Sequence, residues 1–108
     1  MMDAFKDMYD VVVDRRAKPP EGSYTNYLFD KGIDKILKKC GEECTEMVIA
    51  AKNSDKDELA NEINDLLYHM IVMMVDRGVT VEDIEKIMVE RSKKIGNLKQ
   101  FHVSDHNT

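Results

Sequence analysis

Apolar residues recur at helical spacing along most of the chain, and this pattern predicts an all-α protein. The first predicted helix covers residues 4–16, where apolar side chains return every three to four positions. It should end before a Pro-Pro pair, because the residue preceding proline avoids helical backbone geometry. A short helix through Phe29 follows, and either Ser23 or Thr25 is placed to cap it.

Two long helices are predicted next, separated by the polar break Asn53-Ser54-Asp55. The first runs from about 33 to 52, and the second ends at about residue 77, just before Gly78. Ser54 or Asp55 fits the capping position of the second helix. Because a short break joins the two helices, they should pack antiparallel as a hairpin.

A last helix should open at Thr80 with Asp83 and run to about Ile95. These elements predict an all-α helical bundle built on the antiparallel hairpin. A chain of 108 residues has room for one domain, assigned to 1–96. Residues 97–108 are polar and lack periodicity, so we expect a loose C-terminal tail.

Composition narrows the possible partners. The net charge of −5 disfavours a nucleic-acid or anionic-membrane binder, and no stretch approaches the length of a membrane span. The N-terminus lacks the apolar run of a signal peptide. Cys40 and Cys44, one helical turn apart, are interpreted as small buried hydrophobes in a reducing compartment. We therefore expect a cytoplasmic protein with no nucleic-acid or membrane partner.

Two pairs of acids border the apolar stripes of the long helices. Glu43 and Glu46 are three residues apart, as are Glu62 and Asp65, so each pair lies on one face about one turn apart. A helical wheel puts Glu43 at the edge of its stripe. In a hairpin the pairs would meet at a similar height, and four convergent carboxylates need a counter-charge. Oxygen-only ligands suit Mg²⁺ or Mn²⁺, although such spacings also occur on solvated helix faces.

Longer motifs around these acids resemble a known family. The motif Glu42-Glu43-x-x-Glu46, followed after fifteen residues by Glu62-x-x-Asp65, is similar to that of the MazG-like all-α nucleoside-triphosphate pyrophosphatases. Within that superfamily, four segments resemble phosphoribosyl-ATP pyrophosphatases. They are Pro-Glu-Gly-Ser-Tyr-Thr (20–25), Lys-Gly-Ile-Asp-Lys-Ile-Leu-Lys-Lys-Cys-Gly-Glu-Glu (31–43), Val-Ile-Ala-Ala-Lys-Asn (48–53) and Asp-Leu-Leu-Tyr-His (65–69).

The resemblance implies a Mg²⁺-dependent hydrolase that converts 1-(5-phosphoribosyl)-ATP to 1-(5-phosphoribosyl)-AMP and pyrophosphate in histidine biosynthesis, as a stand-alone enzyme. It implies Glu43, Glu46, Glu62 and Asp65 as metal ligands, with Mn²⁺ as an alternative ion. Glu42 or Glu46 is the candidate general base. A hydrolase of dUTP or dCTP type and a non-enzymatic helical interaction module are the alternatives.

Phosphate groups beyond the metal need cations, and several basic residues are candidates. Lys35 and Lys39 lie on the carboxylate flank of their helix, while Lys31, Arg16 and Arg91 are weaker candidates. The remaining candidate substrate contacts are Ser23, Tyr24, Thr25 and His69. The first three could instead only cap a helix, and His69 could instead only form a hydrogen bond at the seam between helices.

A homodimer or larger homo-oligomer is expected from the small size of the predicted core. Val72, Met73 and Val75 are apolar positions off the main stripe of the long helix they occupy. A helix that is apolar nearly all round is buried on more than one side, so this helix should lie near the interface.

Overall fold

The computed structural model describes residues 3–94, which form five α-helices and no strand. The helices are α1 (Asp3–Ala17), α2 (Tyr24–Lys31), α3 (Ile33–Lys52), α4 (Lys56–Arg77) and α5 (Val81–Ser92). The predicted all-α class is confirmed. The predicted tail, residues 97–108, lies outside the described residues.

Side-chain caps fix where several helices begin. The Ser23 hydroxyl accepts from the Asn26 N–H at 3.3 Å, so Ser23 rather than Thr25 caps α2. Asp55 accepts from the Glu58 N–H at 3.1 Å and caps α4. Thr80 forms the expected reciprocal capping box at the start of α5. That helix stops at Ser92, so the prediction that it reaches Ile95 is wrong: its last turn closes on Lys93, although neither glycine nor proline marks that point.

The core lies where α4 meets α1 and α2. Val72 and Val75 are buried there beside Val12 and Leu28, and Ile36 joins them from α3. The apolar positions predicted to mark a subunit interface are therefore part of the core of one chain. The helical wheel identified them as apolar, but it does not say which neighbour covers them.

The C-terminal end of α4 is held by polar contacts from α1. Arg16 donates to the Val75 carbonyl at 3.0 Å, its guanidinium lies 3.8 Å from the Asp76 carboxylate, and it stacks over the Phe29 ring at 4.9 Å. The Tyr9 hydroxyl donates to the Val79 carbonyl at 2.9 Å. Cationic donors at a helix C-terminus complement its exposed carbonyls and its dipole.

α3 and α4, joined by only three residues, pack on each other more extensively than any other pair of helices. The buried residues of α3 are Ile36, Glu43 and Ala50, which recur every seven positions and so form one row along the helix. The middle position of that row is an acid. The expectation that both cysteines are buried is wrong for Cys44, which is exposed because it lies off this row, whereas Cys40 is half-buried.

Among residues 3–94, no helix combines the length and apolar character needed to cross a bilayer.

Substitution by alanine should have opposite effects on the free energy of unfolding at two glycines. A Cβ added at Gly41, inside α3, would meet no atom within 4 Å, so Gly41→Ala should raise the free energy of unfolding by about 0.5–1 kcal/mol. Gly78 ends α4 in the left-handed conformation with φ of 76°, so Gly78→Ala should lower the free energy of unfolding by about 1 kcal/mol.

Urea denaturation of both variants at one protein concentration checks this pair. A loss of stability in Gly41→Ala would show that the surface around Gly41 is in close contact with something else, such as a second subunit.

Candidate functional site

Three of the four predicted metal ligands come together between α3 and α4. Glu43, Glu62 and Asp65 can each offer one carboxylate oxygen such that all three oxygens lie within 4.8 Å of one another. Glu43 is only 7% exposed, and it lies within the buried row of α3 rather than at its edge as predicted. Glu62 and Asp65 lie one turn apart on α4, which aims both at the same point.

Two oxygens in this group have no hydrogen-bond partner. Glu43 Oε2 and Glu62 Oε2 are both buried and unpaired among the described residues. A buried carboxylate oxygen without a partner is costly, and native proteins nearly always pair such atoms. The donor set is all oxygen and anionic, which fits a hard divalent cation such as Mg²⁺. The geometry therefore suits a metal centre better than it suits a solvated acidic surface.

Charge repulsion is concentrated on Glu62. Burial, followed by the neighbouring carboxylates of Glu46, Asp65 and Glu43, raises the pKa of Glu62 above its ordinary value. Glu46 is exposed, and its carboxylate is near enough to Glu62 to contribute to this rise in pKa. The fourth predicted ligand is therefore beside the group, on its solvent side. A cation bound at this position would relieve the repulsion that raises the pKa.

Lys39 is the predicted cation that lies against these acids. Its Nζ is 3.5 Å from Oε1 of Glu43 and 3.5 Å from Oε1 of Glu42. Burial alone would lower the pKa of Lys39, but Tyr24, Glu43 and Glu42 together raise it. Glu42, a candidate base, is exposed and paired with this ammonium group. Lys39 thus neutralises part of the acidic group without reaching its two unpaired oxygens.

The other predicted cations lie in different surroundings. Lys35 is half-buried one turn before Lys39 on α3, and Lys31 lies at the end of α2 with its Nζ 5.8 Å from the centre of the Tyr27 ring. Arg16 is engaged at the C-terminal end of α4, and Arg91 is exposed on α5. The described contacts of Arg16 give it a structural role at Val75, about ten residues, or roughly 15 Å along the helix, from Asp65.

α2 forms a wall beside the carboxylates. His69 is 5% exposed, and its Nδ1 donates to the Asp65 carbonyl at 2.7 Å, since a carbonyl only accepts. In the neutral ring, Nε2 then accepts from the Tyr24 hydroxyl at 3.0 Å. Buried Thr25 hydrogen-bonds the Tyr68 hydroxyl. These contacts favour the seam interpretation of His69 and the structural interpretation of Thr25, while Ser23 is the helix cap.

Sequence reasoning missed two tyrosines in this region. Tyr68 holds Thr25, and Tyr27 stacks on Tyr24 with ring centres 6.0 Å apart. A signal for the second was present: Tyr24-x-x-Tyr27 has the spacing that puts two side chains on one face of a helix. No comparable signal marks Tyr68, because its partner is distant in sequence.

Comparison with known proteins adds an independent observation. A family profile described as phosphoribosyl-ATP pyrophosphohydrolase matches residues 5–92. A phosphoribosyl-ATP pyrophosphatase of Clostridium novyi (strain NT) is 53% identical over 98 residues, which cover 91% of this chain and 89% of that protein. One from Streptococcus thermophilus is 58% identical over 91 residues, covering 84% of this chain and 88% of that protein.

A longer relative also matches. The histidine biosynthesis bifunctional protein HisIE of Thermoanaerobacter pseudethanolicus is 62% identical over 79 residues, which are 73% of this chain but 37% of that protein. The matched region of the family profile contains every helix that contributes a carboxylate to the group.

Removing one of the repelling charges should stabilise the metal-free chain. A raised pKa in the folded state means that Glu62 binds its proton more tightly when the chain is folded. The stability that this protonation gives the folded state is therefore lost as pH rises from 4.5 through the raised pKa. Glu62→Gln should therefore have a higher Tm than wild type at pH 7 in EDTA, and the difference should vanish below pH 4.5.

Thermal unfolding by circular dichroism at both pH values measures this. The matched control is Glu21→Gln, which changes an exposed loop acid and should leave Tm unchanged. A lower Tm for Glu62→Gln at pH 7 would contradict the repulsion described here.

Proposed function

Because the chain belongs to the phosphoribosyl-ATP pyrophosphohydrolase family, we propose that it hydrolyses the α–β phosphoanhydride of 1-(5-phosphoribosyl)-ATP. The products are 1-(5-phosphoribosyl)-AMP and pyrophosphate, in the second step of histidine biosynthesis. The observation that carries this proposal is the convergence of buried Glu43, half-buried Glu62 and exposed Asp65, with one buried oxygen each of Glu43 and Glu62 left unpaired, inside the matched region.

The proposed cofactor is Mg²⁺, with Mn²⁺ as an alternative, held by Glu43, Glu62 and Asp65, with Glu46 completing the set. When bound, such an ion attracts the triphosphate and activates the attacking water. An antiparallel arrangement of α3 and α4 supports this assignment. Two helices joined by three residues can pack along their length only by turning back, which brings residues on either side of the turn together.

The surrounding residues supply the remaining functions. Glu46 is exposed beside Glu62, so its carboxylate is accessible to take the proton of the attacking water. Glu42 is the second candidate base, but its carboxylate is already paired with Lys39. Lys39 is placed to move from Glu43 to a phosphate oxygen once the carboxylates hold a cation. Lys35, one turn before Lys39 on α3, and Lys31, at the end of α2, are the further candidates for binding phosphate.

Pyrophosphate release tests the proposal. Wild type should release pyrophosphate from phosphoribosyl-ATP in Mg²⁺ and lose this activity in EDTA. Glu46→Gln should lower kcat by about 100-fold or more, since loss of a general base typically costs that much. Glu90→Gln, a change of an exposed acid on α5, should leave kcat within about twofold.

A substrate panel with dUTP, dCTP and ATP distinguishes this activity from that of related pyrophosphohydrolases. Faster hydrolysis of a deoxynucleotide than of phosphoribosyl-ATP would contradict the proposed substrate, and absence of any Mg²⁺-dependent thermal shift would contradict the metal centre.

We also propose a homodimer. Among the described residues, more large apolar side chains are exposed than buried, which leaves a single chain with an incomplete core. An apolar groove between α4 and α5 also receives a side chain from α1, and Met88 at its rim is 56% exposed. The apolar lining comprises Phe5, Leu67, Met70, Met74, Val81, Ile84 and Met88. The groove contains Met70 of α4, in agreement with an interface near that helix.

A charge in this groove should separate the subunits. Met88→Glu should raise the dimer dissociation constant by roughly 30-fold or more, because a core interface side chain contributes about 2 kcal/mol. Sedimentation velocity at micromolar concentration measures the shift from dimer to monomer.

Val13→Glu is the matched control, since Val13 is also exposed, at 42%, but lies on α1 outside the groove. A wild-type monomer at this concentration would overturn the proposed dimer, and an unchanged Met88→Glu dimer would exclude the groove as its interface.

A further inference from the structure

Two exposed aromatic rings stack on each other on α2. Tyr24 and Tyr27 are 45% and 41% exposed, their ring centres are 6.0 Å apart, and their planes differ by 21°. The spacing of three residues places both on one face of the helix. Contiguous exposed aromatic surface of this kind often marks a ligand-binding site. We call this pair the tyrosine platform.

The tyrosine platform is fixed beside the carboxylate group. The Tyr24 hydroxyl bonds His69 Nε2, and His69 Nδ1 donates to the carbonyl of Asp65, a proposed metal ligand. The Tyr24 ring also packs edge-on against the His69 ring, with centres 5.7 Å apart. Because His69 is buried, this brace is rigid. The platform therefore begins one side chain away from the site that would hold the phosphates.

The electronic character of the platform suits a positively charged ring. The negative faces of neutral tyrosine rings attract cations. The Tyr27 ring already has a cation near it, since Lys31 Nζ lies 5.8 Å from its centre. The face of this ring therefore accepts positive charge, and the long, exposed Lys31 side chain is free to move to a phosphate instead.

Substrate chemistry supplies such a ring. Attaching a ribosyl group to N1 of adenine makes the base strongly basic, so the N1-substituted purine carries a positive charge near neutral pH, whereas the purine of ATP does not. We propose that the tyrosine platform stacks the purine of the substrate and favours an N1-substituted, cationic purine over an unsubstituted one. This inference rests on the proposed function and names the part of the chain that selects the base.

Kinetics with phosphoribosyl-ATP form the first test. Tyr27→Leu should raise KM by about tenfold with kcat within about twofold, because stacking holds substrate and transition state equally. Tyr27→Phe, the matched control, keeps the ring and should behave like wild type. Equal KM values for Tyr27→Leu and wild type, or a fall in kcat alone, would overturn the proposal.

Nucleotide binding without hydrolysis forms the second test, and it tests the platform separately from the proposed activity. Calorimetry at pH 7 compares N1-methyl-AMP with AMP. Wild type and Tyr27→Phe should bind N1-methyl-AMP about fivefold more tightly, and Tyr27→Leu should show no preference. Equal binding of the two nucleotides by wild type would overturn the platform. A clear preference in a protein that releases no pyrophosphate would support the platform and overturn the proposed function.

Discussion

The constraint on which the structure depends is the burial of like charges at the seam of two helices. Glu43 takes a position on α3 that the heptad row would otherwise give to an apolar residue, between Ile36 and Ala50. Opposite it, α4 brings Glu62 and Asp65 within 4.8 Å. Repulsion and lost hydration oppose this arrangement, so the packing of α3 on α4 must hold it in place. The energy stored in that way is available to bind a cation.

α1 and α2 stabilise this seam by polar contacts with α4. At the C-terminal end of α4, Arg16 donates to the Val75 carbonyl, and Tyr9 donates to the Val79 carbonyl just beyond the helix. Near the carboxylates, α2 is attached by hydrogen bonds through Tyr24 and Thr25 to adjacent residues of α4. Hydrogen bonds impose direction as well as distance, so they fix the wall beside the site more narrowly than apolar contacts would.

Much of this could be predicted from the sequence because helix periodicity and capping are local. The bounds of α3 and the capping box at Thr80 follow from residues a few positions apart. The acidic group could also be predicted from the sequence, since the spacing of its acids and the motifs around them resemble a known family. What a single helix does not encode is the identity of its neighbours. Val72 and Val75 are apolar on any wheel, but only the tertiary structure shows that the same chain covers them.

Contacts made by long side chains across the fold were also hard to predict from the sequence. Arg16 reaches a carbonyl on a helix 59 residues away, and nothing near it in sequence indicates that partner. Lys39 shows the converse case, because its pairing with Glu42 and Glu43 is within reach of a helical wheel. The Tyr24–His69 hydrogen bond joins residues 45 positions apart. The sequence therefore marked both residues as candidate substrate contacts but did not show that they bind each other.

Gly32 connects the two parts of the site. It ends α2 and begins α3 with φ of 90°, its N–H donates to Leu28, and its carbonyl accepts from the Ile36 N–H at 3.2 Å. A single pair of backbone torsions therefore sets the angle between the helix that carries the tyrosines and the helix that carries Glu43. In the proposed binding mode, with the purine on α2 and the polyphosphate on α3, this turn would set the distance between them. A change in the Gly32 torsions alone would then change the length of nucleotide that fits the site.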